Sequence, residues 1–66
     1  MKIQLNGKMH ETDDGQSVSG LVTQLGLRPG MVAVEVNEVV VTRDRRDSTL
    51  LRPEDRVEVV TIMGGG

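Results

Sequence analysis

A single short segment of this 66-residue chain has the apolar spacing of a helix, and this limits the possible folds more than any other feature. Its apolar residues recur at the spacing that places them on one helical face: Val18, Leu21, Val22 and Leu25. Ser17 is a natural N-cap, and Gly26 is a natural C-terminal stop. Gly20 weakens the segment by about 1 kcal/mol relative to alanine, so we expect the helix to depend on packing against a sheet.

The other regular segments alternate apolar and polar residues, as half-buried strands do. Residues 1–6 alternate in this way, and Asn6-Gly7 suits a tight hairpin turn because both residues tolerate positive φ. A second strand is therefore predicted to return antiparallel over about residues 8–12. Three further strands are predicted after the helix: residues 32–36, a brief strand at 39–41, and a last and most β-rich strand at 56–62.

Residues 42–52 are charged, and we expect an irregular loop in which Leu50 and Leu51 turn inward. Three arginines in this loop alternate with two aspartates, which cancel most of the positive field: Arg43, Arg45 and Arg46 with Asp44 and Asp47. A solvated loop is therefore favoured over an anion site. The remaining possible use of the arginines is contact with a charged partner.

The predicted order of elements is two strands, one helix and three strands. The helix must cover one face of the sheet, and a strand reached through it would be connected in the right-handed sense. This order matches the β-grasp, or ubiquitin-like, arrangement. We therefore predict an α+β fold with a mixed sheet of four to five strands and one short helix on one face. The first and last strands should lie parallel in the middle of the sheet. Residues 1–63 should form one domain, and residues 64–66 a flexible tail.

The composition disfavours several classes of protein. There is no cysteine, which fits a reducing cytoplasm and gives no disulfide or thiolate metal site. The net charge is −2 and no aromatic side chain is available to stack on a base, so nucleic-acid binding is not expected. No apolar run approaches the length of about 20 residues that a membrane helix needs, so no membrane contact is expected.

The polar residues do not form a recognisable catalytic or metal-binding set. His10 is the only histidine and has no cysteine or second histidine beside it, so it is read as a strand residue. Asp13 and Asp14 are read as turn residues, because two neighbouring carboxylates alone do not make a calcium loop. Ser17 and Ser19 have no base to activate them. No catalytic residue and no metal ligand is therefore predicted.

Three glycines end the sequence: Gly64, Gly65 and Gly66. Three extended residues reach about 10 Å, and backbone without Cβ atoms can enter a narrow channel. Glycines at a chain end are also often frayed or remnants of cloning. Taken alone, they leave a functional tail and a non-functional one equally open. Their position after this order of strands favours the functional tail.

Several segments together resemble the ThiS family of bacterial sulfur carriers for thiamin thiazole synthesis, over essentially the whole length of the chain. They are Gln4-Leu5-Asn6-Gly7, Gly15-Gln16-Ser17-Val18, Val34-Glu35-Val36-Asn37, residues 55–60, and the final Gly65-Gly66. The glycine pair is shared with carriers for tRNA thiolation, molybdopterin-synthase small subunits and ubiquitin-like modifiers. The shortness of the chain and the opening Leu-Asn-Gly favour the thiazole carrier.

The resemblance implies a protein that is a substrate of other enzymes and has no catalytic residues. A ThiF-like adenylyltransferase would use ATP to adenylate the Gly66 carboxyl. Sulfur from a donor such as a cysteine desulfurase would then make it a thiocarboxylate, and a ThiG-like thiazole synthase would consume that sulfur. Gly64 and Gly65 would provide the reach. No intrinsically bound cofactor is expected, and the free protein is expected to be a monomer.

A docking surface is predicted beside this tail. Ordering three glycines costs roughly 3–6 kcal/mol, so other contacts must hold the partner. Val60 and Ile62 have the same parity as Glu58 on the last strand, and we predict that they form a docking patch, together with Ala33 of the third strand. Each large side chain could contribute about 1.5–3 kcal/mol when buried. The alternative is a strand that is covered on both sides or locally bulged.

Other functions remain open from the residues alone. A carrier for tRNA thiolation or molybdopterin synthesis would use the same carboxyl chemistry. A ubiquitin-like modifier would attach its terminal glycine to a lysine. A β-grasp binding domain would make no use of the tail.

Overall fold

The structure is a computed structural model that describes residues 1–62. These residues form a sheet of five strands and one α-helix. The elements are β1 (Lys2–Leu5), β2 (Lys8–Glu11), α1 (Val18–Gln24), β3 (Val32–Val36), β4 (Val39–Val40) and β5 (Arg56–Thr61). Two 3-10 turns connect them, a first at Pro29–Met31 and a second at Arg43–Arg45. The predicted boundary at residue 63 and the predicted tail lie outside the described residues.

The strands lie in the order β2-β1-β5-β3-β4. β1 is parallel to β5, and the other neighbouring pairs are antiparallel. The predicted mixed sheet with parallel first and last strands at its centre is therefore confirmed. As a result, β5 is covered by strands on both sides and presents only its two faces to other groups.

Both hairpins use turn residues with positive φ. Asn6 and Gly7 have φ of 51° and 82° and join β1 to β2, as predicted. Asn37 and Glu38 have φ of 51° and 71° and join β3 to β4 without a glycine. These turns match the right-handed twist of the strands that they connect.

The helix α1 begins and ends where its sequence predicts. The hydroxyl of Ser17 accepts a hydrogen bond of 2.9 Å from the backbone N–H of Gly20. Gly26 has a φ of 74° just past the last turn, a conformation that favours glycine. Among residues 1–62, no helix has the length and apolar character required to cross a bilayer.

The core lies between α1 and one face of the sheet and contains only aliphatic side chains. Its buried members come from the helix, four strands or strand ends, and the last loop: Ile3, Val18, Leu21, Val22, Val32, Val34, Val41, Leu51, Val57 and Val59. With so few buried side chains, each deletion of a core group removes a large share of the stability. Within residues 1–62, the opposite face of the sheet carries no α-helix.

The loop after β4 differs from its prediction at two residues. Leu51 is buried as expected, but Leu50 is 59% exposed, so the prediction that both turn inward is wrong. Leu50 forms an extended bridge with Ser17, and consecutive side chains of extended backbone point to opposite sides.

Arg46 is the second residue of this loop that the sequence misplaced. It is only 6% exposed, whereas Arg43 and Arg45 are exposed, so the prediction of a wholly solvated loop is wrong at Arg46. Its two terminal nitrogens each donate a hydrogen bond of 2.8 Å, one to the Pro29 carbonyl and one to the Val32 carbonyl. Arg46 therefore fastens this loop to the start of β3.

Candidate docking face

The two sides of β5 differ in exposure in the way that strand periodicity predicts. Val57 and Val59 are buried against the helix, while Glu58 lies on the open face of the sheet. Val60 and Ile62 are 59% and 45% exposed. The pairing of β3 with β5 is continuous from Val32↔Thr61 to Val36↔Val57. Within residues 1–62, the alternative of a bulged or doubly covered strand therefore finds no support at Val60.

The three residues predicted for docking lie together. Ala33 is exposed on β3 directly opposite Val60. The backbone N–H of Ile62 donates a hydrogen bond of 2.7 Å to the carbonyl of Met31. Ala33, Val60 and Ile62, together with the exposed Met31, are called the docking patch below. Their role in docking stays a prediction.

Met31 was missed by the sequence reasoning. It precedes β3 and is 46% exposed beside Ile62. Met31 ends the 3-10 turn that leads into β3, so the two-residue period of the strand, which selected Ala33, gave no signal for it. An exposed methionine suits a contact surface because its side chain is flexible and polarizable.

Asn6 holds β5 in place from the side of β1. Its side-chain Oδ1 accepts a hydrogen bond of 2.8 Å from the Val59 N–H, and its Nδ2 donates one of 3.0 Å to the Val59 carbonyl. The amide thus pairs with β5 just past the end of β1, where the backbone turns away. It fixes Val59, the residue directly before Val60 of the docking patch.

Asn37 and Asp55 hold the start of β5. Asn37 accepts a hydrogen bond of 2.9 Å from the Arg56 N–H and donates one of 3.0 Å to the Asp55 carboxylate. The same carboxylate accepts a hydrogen bond of 2.8 Å from the backbone N–H of Arg52. β5 is therefore fixed by side chains from both hairpin turns.

Replacing Asn6 with alanine is expected to lower the free energy of unfolding by about 2–3 kcal/mol, because it removes both bonds to Val59 and strains a residue at positive φ. Asn6→Gly removes the same bonds but accepts the φ, so its loss should be about 1 kcal/mol smaller. Urea unfolding followed by circular dichroism measures both. Equal stabilities of Asn6→Ala and the unchanged protein would contradict the role of this amide.

Charged side chains border the docking patch. On the open face, Glu35 lies directly opposite Glu58 in the antiparallel pairing of β3 and β5. The nearest cation along β5 is Arg56, whose guanidinium forms an ion pair of 3.2 Å with Glu38. Neither Glu35 nor Glu58 has an ion-pair partner within the part of the chain that the structure describes.

The other candidate features lie away from the docking patch. His10 is a half-buried residue of β2, and residues 1–62 contain no cluster of three His, Asp or Glu side chains that could hold a metal ion. An open groove of about 470 Å³ lies at the far end of β3. It is lined by Val36, Val39, Val40, Val41, Thr42, Arg45 and Thr49.

The predicted site of chemistry, Gly66, and the predicted reach, Gly64 and Gly65, lie outside the described residues. Comparison with known proteins covers these three glycines. The model of the ThiS family matches residues 3–66, which is nearly the whole sequence. The chain belongs to the ThiS family. The resemblance stated from the residues is therefore confirmed.

Solved structures support the same assignment. The chain is 33% identical to the thiamine biosynthesis protein ThiS from Geobacter metallireducens. The crystal structure of that protein matches this structure with a TM-score of 0.83, over 100% of both chains. A solution structure of a thiamine biosynthesis protein from the same organism gives a TM-score of 0.82 at 33% identity, over 100% of this chain and 88% of that one. The predicted β-grasp fold is thus confirmed.

Relatives are also found among curated proteins. A thiazole synthase from Magnetococcus marinus is 44% identical over 66 residues, which are 100% of this chain and 20% of that protein. This chain therefore spans about a fifth of the length of that relative. The uncharacterized protein ycf40 of Pyropia yezoensis is 35% identical over 66 residues, which are 100% of this chain and 93% of that protein.

Proposed function

We propose that this ThiS-family chain is a sulfur carrier for thiamin thiazole synthesis, with the Gly66 carboxyl as the group that carries sulfur. The observation that carries the proposal is the match of the ThiS family model through residue 66, on the β-grasp fold. The match of the whole chain to a fifth of a thiazole synthase supports a ThiG-like thiazole synthase as the acceptor of the sulfur.

The proposed chemistry begins with activation. A terminal carboxyl has a pKa of about 3.5, so it is ionised at neutral pH and is a poor electrophile. A ThiF-like adenylyltransferase would bring it to ATP. The carboxylate oxygen attacks the α-phosphorus, the bond to pyrophosphate breaks, and an acyl adenylate forms.

Sulfur transfer then replaces the adenylate. Hydrosulfide attacks the carbonyl carbon, AMP leaves, and a thiocarboxylate remains. Where the sulfur comes from a cysteine desulfurase as a persulfide, a thiol must also reduce the acyl disulfide that forms. The chain itself provides no catalytic group in this scheme and acts only as the substrate.

The docking patch supplies the binding energy that the glycines cannot. Ordering Gly64, Gly65 and Gly66 in a partner's channel costs roughly 3–6 kcal/mol. Burying the exposed side chains of Val60 and Ile62 recovers about 1.5–3 kcal/mol each. Because Ile62 lies only four residues before Gly66, docking of the patch would also bring the carboxyl to the nucleotide.

Intact mass spectrometry tests the proposal after incubation with the adenylyltransferase of the same organism, ATP and sulfide. We expect a mass increase equal to the difference between one sulfur and one oxygen atom, located at Gly66 by fragmentation. The natural product must first be shown by mass to end at Gly66. A variant with one alanine appended after Gly66 should fold with unchanged stability and gain no sulfur.

Two results would contradict the proposed carboxyl chemistry, and a third would contradict the proposed thiazole pathway. Attachment of Gly66 to a lysine of another protein, without sulfur, would indicate a ubiquitin-like modifier. No change in mass with an adenylyltransferase that activates its other substrates would indicate a binding domain. Transfer of the sulfur to a tRNA or molybdopterin precursor rather than to a thiazole synthase would keep the carboxyl chemistry and change the pathway.

A further inference from the structure

The open face of the sheet contains an electrostatically unfavourable pair of side chains. Glu35 and Glu58 are direct cross-strand neighbours. Facing side chains in such pairs have Cβ atoms roughly 5 Å apart, and like charges at this distance destabilise a sheet. Arg56 lies two residues before Glu58, but its guanidinium is engaged by Glu38 on the β3–β4 turn. The two carboxylates therefore repel one another with no cation from residues 1–62 paired to either.

These carboxylates adjoin the docking patch. Two residues further along the same strands, Ala33 lies opposite Val60. Because alternate residues of a strand point to the same face, both pairs lie on one face of the sheet. On the other side of Glu35 lies the exposed Val40 of β4, its direct partner in register. Exposed apolar side chains thus border the carboxylate pair along the strands and across them.

This position has a consequence for any protein that covers the docking patch. A surface that buries Val60 and Ala33 also removes water from the adjoining carboxylates. Removing water from charged groups is costly unless an opposite charge replaces it. Two like charges make this cost higher, because their repulsion strengthens as the local dielectric falls.

We propose that Glu35 and Glu58 together bind one basic side chain of the adenylyltransferase, and that this contact selects the partner of the docking patch. This inference rests on the proposed function, since it requires that enzyme to dock on this face. An arginine matches the pair best because its planar group presents several donors in a fork, which can reach two neighbouring carboxylates at once. A partner with an acidic or purely apolar surface would be rejected by the same pair.

The test measures binding and stability of three single glutamine variants and of the double variant that carries both Glu35→Gln and Glu58→Gln. Glu35→Gln and Glu58→Gln keep the shape of the side chain and remove one charge of the pair. Glu11→Gln is the matched control, because Glu11 is exposed on β2 opposite Lys2 and its loss changes the net charge equally. Titration calorimetry with the adenylyltransferase of the same organism gives Kd at about 0.05 M and about 0.5 M salt, a range that spans strong and weak screening.

We expect Glu35→Gln and Glu58→Gln each to raise Kd by about fivefold to tenfold at low salt and by less at high salt, whereas Glu11→Gln stays within about twofold. The fold-increase in Kd of the double variant should be smaller than the product of the two single fold-increases, because both carboxylates contact the same cation. The melting temperature of the free chain should rise by about 1–5 °C in each single variant of the pair, since repulsion is removed.

Weaker binding together with higher stability separates this role from a structural one. Loss of a structural contact would lower both the affinity for the enzyme and the stability of the free chain. Values of Kd for the pair variants equal to that of Glu11→Gln would overturn the inference, and so would a fall in their melting temperatures. If the unchanged chain is not adenylated by this enzyme, the proposed function itself fails. If the unchanged chain is adenylated and the pair variants bind equally well, only the present inference fails.

Discussion

Replacing Ile62 with glutamate is expected to abolish adenylation of Gly66 while the domain keeps its fold. Ile62 contributes its backbone N–H to the fold through the bond to Met31, and its side chain is 45% exposed. A polar side chain at this position costs the free protein little, within about 0.5 kcal/mol. In a complex, the new carboxylate would be buried in an apolar contact without a partner. We expect kcat/KM for adenylation to fall by about 100-fold or more.

Met9→Glu is the matched control for this variant. Met9 is 70% exposed and lies on β2, at the edge of the sheet away from β3. The same change of an exposed apolar side chain to a carboxylate there should leave adenylation within about twofold of the unchanged protein. ATP–pyrophosphate exchange measures the rates, and thermal unfolding shows whether both variants are folded. A rate for Ile62→Glu equal to that for Met9→Glu would remove the docking patch from the proposal.

The second large effect is expected at Arg46. Arg46→Ala leaves the carbonyls of Pro29 and Val32 without their donors and opens a cavity beside the core. The free energy of unfolding should fall by about 2–4 kcal/mol. A domain of 66 residues has a total of roughly 3–10 kcal/mol, so much of the stability depends on this one side chain.

Two further variants make this prediction specific. Arg45→Ala removes an exposed arginine of the same loop and should change stability by no more than about 0.5 kcal/mol. Arg46→Met fills most of the volume without restoring the hydrogen-bond donors. Its decrease in the free energy of unfolding should therefore lie between those of the two alanine variants. The chain has no Trp or Tyr, and urea unfolding is therefore followed by far-ultraviolet circular dichroism. If Arg46→Ala proves as stable as Arg45→Ala, the anchoring role is wrong.

The parts of the fold that the sequence predicted are those with local signals. The period of two in β5 placed Val57 and Val59 inside and Val60 outside. Ser17 and Gly26 marked the ends of the helix because capping acts within one turn. The order of strands then allowed few topologies, and the parallel pairing of β1 with β5 followed.

The residues that were missed depend on contacts distant in the sequence. The two carbonyls that bind Arg46 lie 14 and 17 residues before it, and no periodicity connects them. Leu50 and Leu51 belong to an irregular segment, where the direction of each side chain is set by a bridge to Ser17. Asn6 was read only as a turn residue, because its bonds to Val59 span 53 residues.

The central position of β5 also bears on how the protein forms. β5, which carries Val60, is synthesised after the other four strands described here, yet it pairs with β1 on one side and β3 on the other. A nascent chain that still lacks residues 56–61 has no centre for its sheet, and its early strands cannot be joined. Pairing between such distant segments is slow, since the loop must close before the contact forms. Chains not yet synthesised through residue 61 therefore cannot display the docking patch, and the proposed activating enzyme would encounter this surface only after β5 has formed.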